Sequence, residues 1–444
     1  MTTKQRIIQK ISADELDVIL QCAADEKWTD LALLGPTSSA KREEKNWPES
    51  LKKHTHKYQL TSVVSNLGER LRNLLSLTSL FLWNNQIGES GAEHISKLSN
   101  LTTLNLGGNQ IGESGAEYIS KLNNLTTLNL GGNQVGDSGA EHISKLSNLT
   151  TLNLAGNQIG ESGAEHISKL SSLKKLSLSG NQVGISGAEY ISKLSNLTTL
   201  DLGGNQAGDS GAGHISKLSN LRTLNLGGNQ VRDSGAEDIS KLSNLTALDL
   251  GGNQVGDSGA KYISELSNLT ALNLSGNQVG DSGAKYISEL SNLTTLSLGG
   301  NQIGDSGAEH ISESKNLSKL DLSKTLINDL AALSHLPFLR SLNISGTVVT
   351  DLSPVRSLLQ KGIAAKWDRY AWGDGILVEG CPLIHPPPEI VKQGHEAVLN
   401  YFREIDVQGT ATLLEAKVLI VGEGRAGKTS LLRRLYQPDR PLPT

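Results

Sequence analysis

Aromatic residues are scarce here: 3 Phe, 5 Trp and 8 Tyr among 444 residues. A core built from rings is excluded, so aliphatic side chains must fill the interior. Cysteine is nearly absent. Cys22 and Cys381 are the two copies, so there is no disulfide framework and no C-x-x-C pair for a metal. Reducing surroundings fit that usage. Excess positive charge is missing as well. Lys and Arg total 41 against 45 Asp and Glu, a formal net charge of −4. The basic residues are spread rather than clustered, which argues against nucleic acid as a partner. No apolar run approaches the roughly 18 residues of a membrane span. The opening MTTKQRIIQKIS lacks the apolar segment of a signal peptide. These absences predict a soluble, cytoplasmic protein. Sequons at Asn100, Asn124 and Asn148 follow from a repeated S-N-L-T and carry little weight without a secretory signal.

What the chain has in quantity is repetition. From Leu77 to Asn316 run ten consecutive 24-residue units, typified by LTTLNLGGNQIGESGAEYISKLNN at Leu101 to Asn124. Each carries L-x-x-L-x-L-x-x-N-x-[IV], the leucine-rich-repeat signature. In one unit Leu125, Leu128 and Leu130 point inward from a short parallel strand and its approach. Gly131 and Gly132 let the chain leave the strand, and Val135 returns to the core. Stacking aligns Asn85, Asn109, Asn133, Asn157, Asn181, Asn205, Asn229, Asn253, Asn277 and Asn301 in a structural ladder that satisfies turn backbone groups. Ser138 to Glu141 reads as a capping box opening a convex helix, with Ala140, Ile143 and Leu146 as its apolar stripe. Glu93–Lys97, Glu117–Lys121 and Glu141–Lys145 are i,i+4 pairs in the favourable orientation. Both signs reverse together in Lys261–Glu265 and Lys285–Glu289.

Around the array, residues 1–76 read as an N-terminal helical cap and loop. Ala13 to Lys27 is predicted as an amphipathic helix, WTDLALLG as a first strand, and 36–56 as a polar loop. Residues 317–360 form two divergent, shorter repeats. Residues 361–415 read as a C-terminal cap and linker, containing Trp367, Tyr370 and Trp372, the triple proline Pro386 to Pro388 and the helix PEIVKQGHEAVLNYFREI.

One motif carries chemistry. Gly422 to Thr429 spells G-x-x-x-x-G-K-T, preceded by the apolar run Val418 to Val421 and followed by a helix from Ser430 to Leu435. Strand, glycine loop and helix are the context a phosphate-binding loop requires. Its curled backbone N–H groups and the helix N-terminus would face an anion. Lys428 would reach the β- and γ-phosphates, and the Thr429 hydroxyl would hold Mg²⁺ through the nucleotide. The candidate nucleotide-binding set is Gly422, Gly424, Ala426, Gly427, Lys428, Thr429 and Ser430. No catalytic residue is assigned. The motif lies close to Thr444, so 416–444 reads as the truncated start of a nucleotide domain, inactive alone and without a tightly bound cofactor.

Repeats, the connector CPLIHPPPEIVKQGHEAVLNYF and KVLIVGEGRAGKTSLLRRL, in that order, resemble the Roco family of bacterial type. In that family leucine-rich repeats precede a Ras-like Roc GTPase domain and a COR dimerisation domain. The resemblance spans Leu77 to Leu435. It implies that Gly422, Gly427, Lys428 and Thr429 match nucleotide-binding positions, with GTP or GDP and Mg²⁺ as cofactors of the intact protein. It also implies that dimerisation would need the missing COR domain. The residues themselves do not select guanine over adenine.

The expected fold is therefore an α/β leucine-rich-repeat solenoid, or horseshoe. It has parallel concave strands, short convex helices and the first β–P-loop–α unit of an NTPase domain. The expected function is a protein-interacting, regulatory arm of a Roco-type GTP-binding signalling protein. The alternative is a free-standing scaffold for a protein partner, with a vestigial P-loop. A ring recurs at positions 94, 118, 142, 166, 190, 214, 262, 286 and 310, with Asp238 in the same series. Alternation of His with Tyr favours a half-exposed helical position over a metal ladder. Phe81 and Trp83 fit either a binding end or packing under the cap. Near-identity of the repeats suits a spacer, a periodic ligand or recent duplication.

Overall fold

The computed structural model describes residues 9–34, 36, 57–60, 64–368 and 373–408. The candidate phosphate loop, Tyr370, Trp372 and nearly all of 36–56 lie outside the described residues. Two units are distinguished, Met1–Val398 and Leu399–Thr444, and the whole repeat array lies in the first.

Each repeat begins with a three-residue strand such as Thr103–Asn105. The strands are short because the next polar residue ends them: Asn105 Oδ1 accepts the Gly107 N–H at 3.0 Å, an Asx turn that carries the chain out of the sheet. The same turn recurs at Asn129, Asp201, Asp249 and Asp321. Leu104 pairs with Leu128, one repeat on, and this register continues along the array. Among the described residues, seventeen strands form one sheet in which every recorded pairing is parallel. In space it starts with 9–11, 57–60 and 30–34, and strand 30–34 pairs with 79–81. It then follows chain order to 341–343 and ends with 375–377 and 365–366. The N-terminal segment thus adds three strands to the stack as well as the helix Ala13–Asp25.

Behind the sheet lies a layer of one short helix per repeat, such as Gly112–Ile119. Leu104, Leu106, Ile111, Ala116, Ile119 and Leu122 fill the gap, all at 0 % exposure. Full burial of each large aliphatic side chain contributes roughly 1.5–3 kcal/mol, so packing holds helices far too short to persist alone. The cap docks by close backbone approach: a Cβ on Gly68, in the helix Leu67–Leu71, would lie 2.5 Å from Gly91 Cα. At the other end the spacing shortens from 24 to 22 residues, as Lys319 pairs with Ser341. With two fewer residues, the helix of the first shorter unit becomes the 3-10 turn Ala332–His335.

Three local expectations are corrected. Ser138 does not cap its helix. Gly136–Ile143 starts before it, with Val135 at the N-cap position and no side-chain cap bond. Where such helices are capped, the group comes from the preceding repeat: Asp233 Oδ1 accepts Gly256 N–H at 2.7 Å and Gly259 N–H at 3.0 Å. The Glu–Lys pairs do not form ion pairs among the described residues. Lys121 lies beyond the end of its helix, where its N–H bonds the Tyr118 carbonyl at 3.1 Å. That 3-10 turn eclipses positions i and i+3. Lys121 Nζ accordingly sits 4.6 Å from the Tyr118 ring centroid, and Lys145 Nζ lies 3.3 Å from His142 Nδ1. Finally, the connector helix is two helices, Pro388–Lys392 and His395–Gln408, broken at Gly394, whose φ is +105°.

Candidate functional site

Two surfaces of the array are built from polar side chains, one inside the turns and one on the solvent face of the sheet. The first is formed by the ten asparagines, all of them buried. Asn205 is typical and is 0 % exposed. Its Oδ1 accepts the Val183 N–H at 3.1 Å, one repeat back. Its Nδ2 donates to Leu178 O at 2.8 Å and Leu202 O at 2.9 Å. Its own N–H donates to Asn229 Oδ1 at 3.1 Å, one repeat on. Asparagine serves because one short side chain offers both an acceptor and two donors. The column stops at Asn85, whose Oδ1 is buried and unpartnered.

At the C-terminal end the column changes chemistry. Thr325 and Thr347 hydroxyls donate to Leu322 O and Ile344 O at 2.6 and 2.8 Å. Cys381 Sγ then donates to Ile344 O at 3.0 Å. Burial pushes this thiol's pKa above its ordinary value. Sequence reasoning missed these three successors, although each stands three residues after an aliphatic core position, Leu322, Ile344 and Val378, as each asparagine does in its repeat.

Two further columns were also missed. Thr126 Oγ1 donates to Thr102 O at 3.1 Å, and Thr102 Oγ1 to Thr78 O at 3.1 Å. The sequon asparagines form an outer ladder: Asn124 Nδ2 donates to Ser99 O and Asn148 Nδ2 to Asn123 O, each at 2.9 Å. The repeated S-N-L-T is thus accounted for by inter-repeat bonding. Its signal was the recurrence of an exposed Asn and Thr in most of the repeats.

The second surface is a groove of about 550 Å³ on the solvent face of the sheet, from Thr223 to Leu377. The strand-exit column lines it: Asn225, Asp249, Asn273, Ser297, Asp321 and Asn343. Ala247 and Ala271 form its small, apolar floor, and Lys319 brings a positive charge. The Asp249 carboxylate is held by Gly251 N–H at 2.8 Å and Asn273 Nδ2 at 2.9 Å. Rigid polar groups beside small apolar ones are suited to an extended polar ligand rather than to covalent chemistry. Phe81 and Trp83 do not belong to this groove; they pack against Ala32 and Leu34 of the cap strand. On the helical side, the positions of the ring column are half-buried. Among the described residues, no cluster of His, Cys, Asp and Glu is placed to hold a metal ion. No helix among them is long and apolar enough to cross a membrane. Trp367 carries Lys392 Nζ 4.8 Å from its ring centroid, a cation–π contact within the C-terminal cap.

An internalin (inlF) from Listeria monocytogenes aligns over 65 % of this chain and 86 % of its own, with TM-score 0.51 and 26 % identity. A leucine-rich-repeat protein of Leptospira interrogans aligns over 77 % of this chain and 92 % of its own, with TM-score 0.49 and 23 % identity. A 65-residue segment is 34 % identical to a probable serine/threonine-protein kinase, pats1, of Dictyostelium discoideum. That segment is 15 % of this chain and spans 2 % of the relative. Residues 76–135 match the leucine-rich-repeat profile and residues 133–360 the leucine-rich repeat region, so the chain belongs to the leucine-rich-repeat family.

Proposed function

We propose that the repeat array is the protein-binding arm of a Roco-type GTP-binding signalling protein, and that the groove from Thr223 to Leu377 receives the partner. The groove carries the binding half of this reading. Carboxylates, amides, a lysine and an apolar floor converge there. An extended segment laid across it would meet one polar side chain per strand, at intervals of about 4.8 Å. With a partner in hand, hydrogen exchange should slow over 223–343. Slowing confined to the helical side would sink this assignment.

The nucleotide half rests on sequence. Its support is the G-x-x-x-x-G-K-T at Gly422 to Thr429, following the repeats and the connector. In this reading Lys428 binds phosphate oxygens and Thr429 the nucleotide's Mg²⁺, while the repeats supply no catalytic group. Titration of a fluorescent guanine nucleotide onto the chain tests it. Saturable, Mg²⁺-dependent binding that is lost in Lys428→Ala supports the GTP-binding arm, and competition by ATP would move the assignment to adenine. Absence of binding leaves the second reading, a scaffold with a vestigial loop.

A further inference from the structure

The backbone at the start of each repeat's helix exists in two discrete forms along the array. In one form the residue opening the helix is a glycine in the left-handed region: Gly112, Gly136, Gly184 and Gly208 have φ between +60° and +64°. In the other it is extended: Gly160, Arg232, Gly256, Gly280 and Gly304 have φ between −99° and −110°. The helix then starts one residue later. The two forms differ by a flip of the preceding peptide. In the first, the N–H points to the following repeat; Gly136 donates to Asn157 O and Gly184 to Asn205 O, each at 3.0 Å. In the second, the carbonyl points there instead. Ile159 O accepts Gln182 N–H at 2.8 Å, and Val255 O accepts Gln278 N–H at 2.9 Å.

The form follows the acidic position of the preceding repeat without exception. Glu89, Glu113, Glu161 and Ile185 precede the four left-handed glycines. Asp137, Asp209, Asp233, Asp257 and Asp281 precede the five extended residues. Each of these aspartates accepts the flipped N–H through Oδ1 at 2.6 to 2.7 Å. A carboxylate bond to N–H is about twice as strong as a neutral one. It is also favoured at the positive end of a helix. Glutamate is one methylene longer, and Oε1 of Glu89 lies 2.5 Å from where a Cβ on Gly112 would sit, while at Gly136 and Gly184 no atom of the preceding glutamate comes within 4 Å of that position. The flip is felt one repeat further. Gln110, Gln158, Gln206 and Gln230 follow left-handed glycines and have positive φ, whereas Gln182, Gln254, Gln278 and Gln302 follow flipped peptides and do not. Gln134, after Gly112, departs from this downstream correlation.

We propose that this peptide is a two-state element set by the preceding repeat, with aspartate selecting the flipped form, and that flipped junctions are where the exposed edge can carry a side chain in place of glycine. Arg232 already does so: it is the one non-glycine among the nine junctions, it follows Asp209, and its Nε reaches Gln254 Oε1 at 3.3 Å. A Cβ on Gly256 would meet nothing closer than 3.5 Å, whereas a side chain on Gly136 must adopt the left-handed backbone.

The experiment has three arms. Gly136→Ala should raise the unfolding equilibrium constant about five- to thirty-fold, from the left-handed penalty of an L-residue. Gly256→Ala should leave it unchanged or lower it. Adding Glu113→Asp to Gly136→Ala should restore the wild-type value, and a crystal structure of Glu113→Asp alone should show Gly136 near −100°. A Gly136 that stays left-handed in that crystal overturns the proposal. So does an alanine penalty unchanged by the aspartate, or an equal penalty at Gly256.

Discussion

Truncating Asn205 to alanine isolates what the buried ladder contributes. The side chain is fully buried, so the groups it leaves cannot turn to water. Leu178 O keeps Asn181 Nδ2 at 2.8 Å, Leu202 O keeps Asn229 Nδ2 at 2.8 Å, and Gly203 O keeps Gly180 N at 2.7 Å. The Val183 N–H, however, has only Asn205 Oδ1, at 3.1 Å. Orphaning one buried N–H costs about 1–3 kcal/mol. Weakened carbonyl bonding and the small void add about 1–2 kcal/mol. Asn205→Ala should therefore cost about 2–5 kcal/mol. Asn85→Ala is the control, because Asn85 Oδ1 accepts nothing while its Nδ2 donates to Leu33 O at 2.7 Å and Trp83 O at 2.9 Å. No N–H is orphaned there, and about 1–2 kcal/mol should suffice. Repeat arrays open locally, so the sharper assay is hydrogen exchange read by mass spectrometry on the segment containing Val183. Ile185 gives that segment a unique mass among the repeats. Equal costs for the two variants, or unchanged exchange at Val183 in Asn205→Ala, would refute the accounting.

Other outcomes follow from single contacts. Gly68→Ala should loosen the N-terminal cap by about 1–3 kcal/mol, because the new methyl meets Gly91 backbone rather than a movable side chain; limited proteolysis should then cut ahead of the repeats first. Cys22 is exposed and Cys381 buried, so a maleimide should label the folded protein at one thiol and reach Cys381 only on opening of the C-terminal end. The Ser12 backbone N–H and hydroxyl bond the Glu15 carboxylate and hold its pKa below the ordinary 4.5. Its contribution to the helix Ala13–Asp25 is thus complete above that ordinary value and is lost as pH falls through the lower folded one. Amide exchange in this helix should quicken over that acid range, and Glu15→Gln should blunt the change.

Much of this architecture was legible in one dimension. The 24-residue period fixes the strand register, since each leucine must meet its counterpart in the next unit, and the scarcity of rings required the aliphatic core. Three features belong to the tertiary structure alone. The helix caps come from the preceding repeat, so a local S-x-x-E pattern misassigned them. The lysines turn to residues three back, because they lie beyond their helices. The flipped peptides answer to aspartates 23 residues earlier, at Asp137 for Gly160 as at Asp281 for Gly304. The division has a physical cause. Apolar burial is periodic and non-directional, so composition and spacing reveal it. Hydrogen bonds between repeats depend on direction and on a methylene of reach, so only stacking decides which partner each polar group meets.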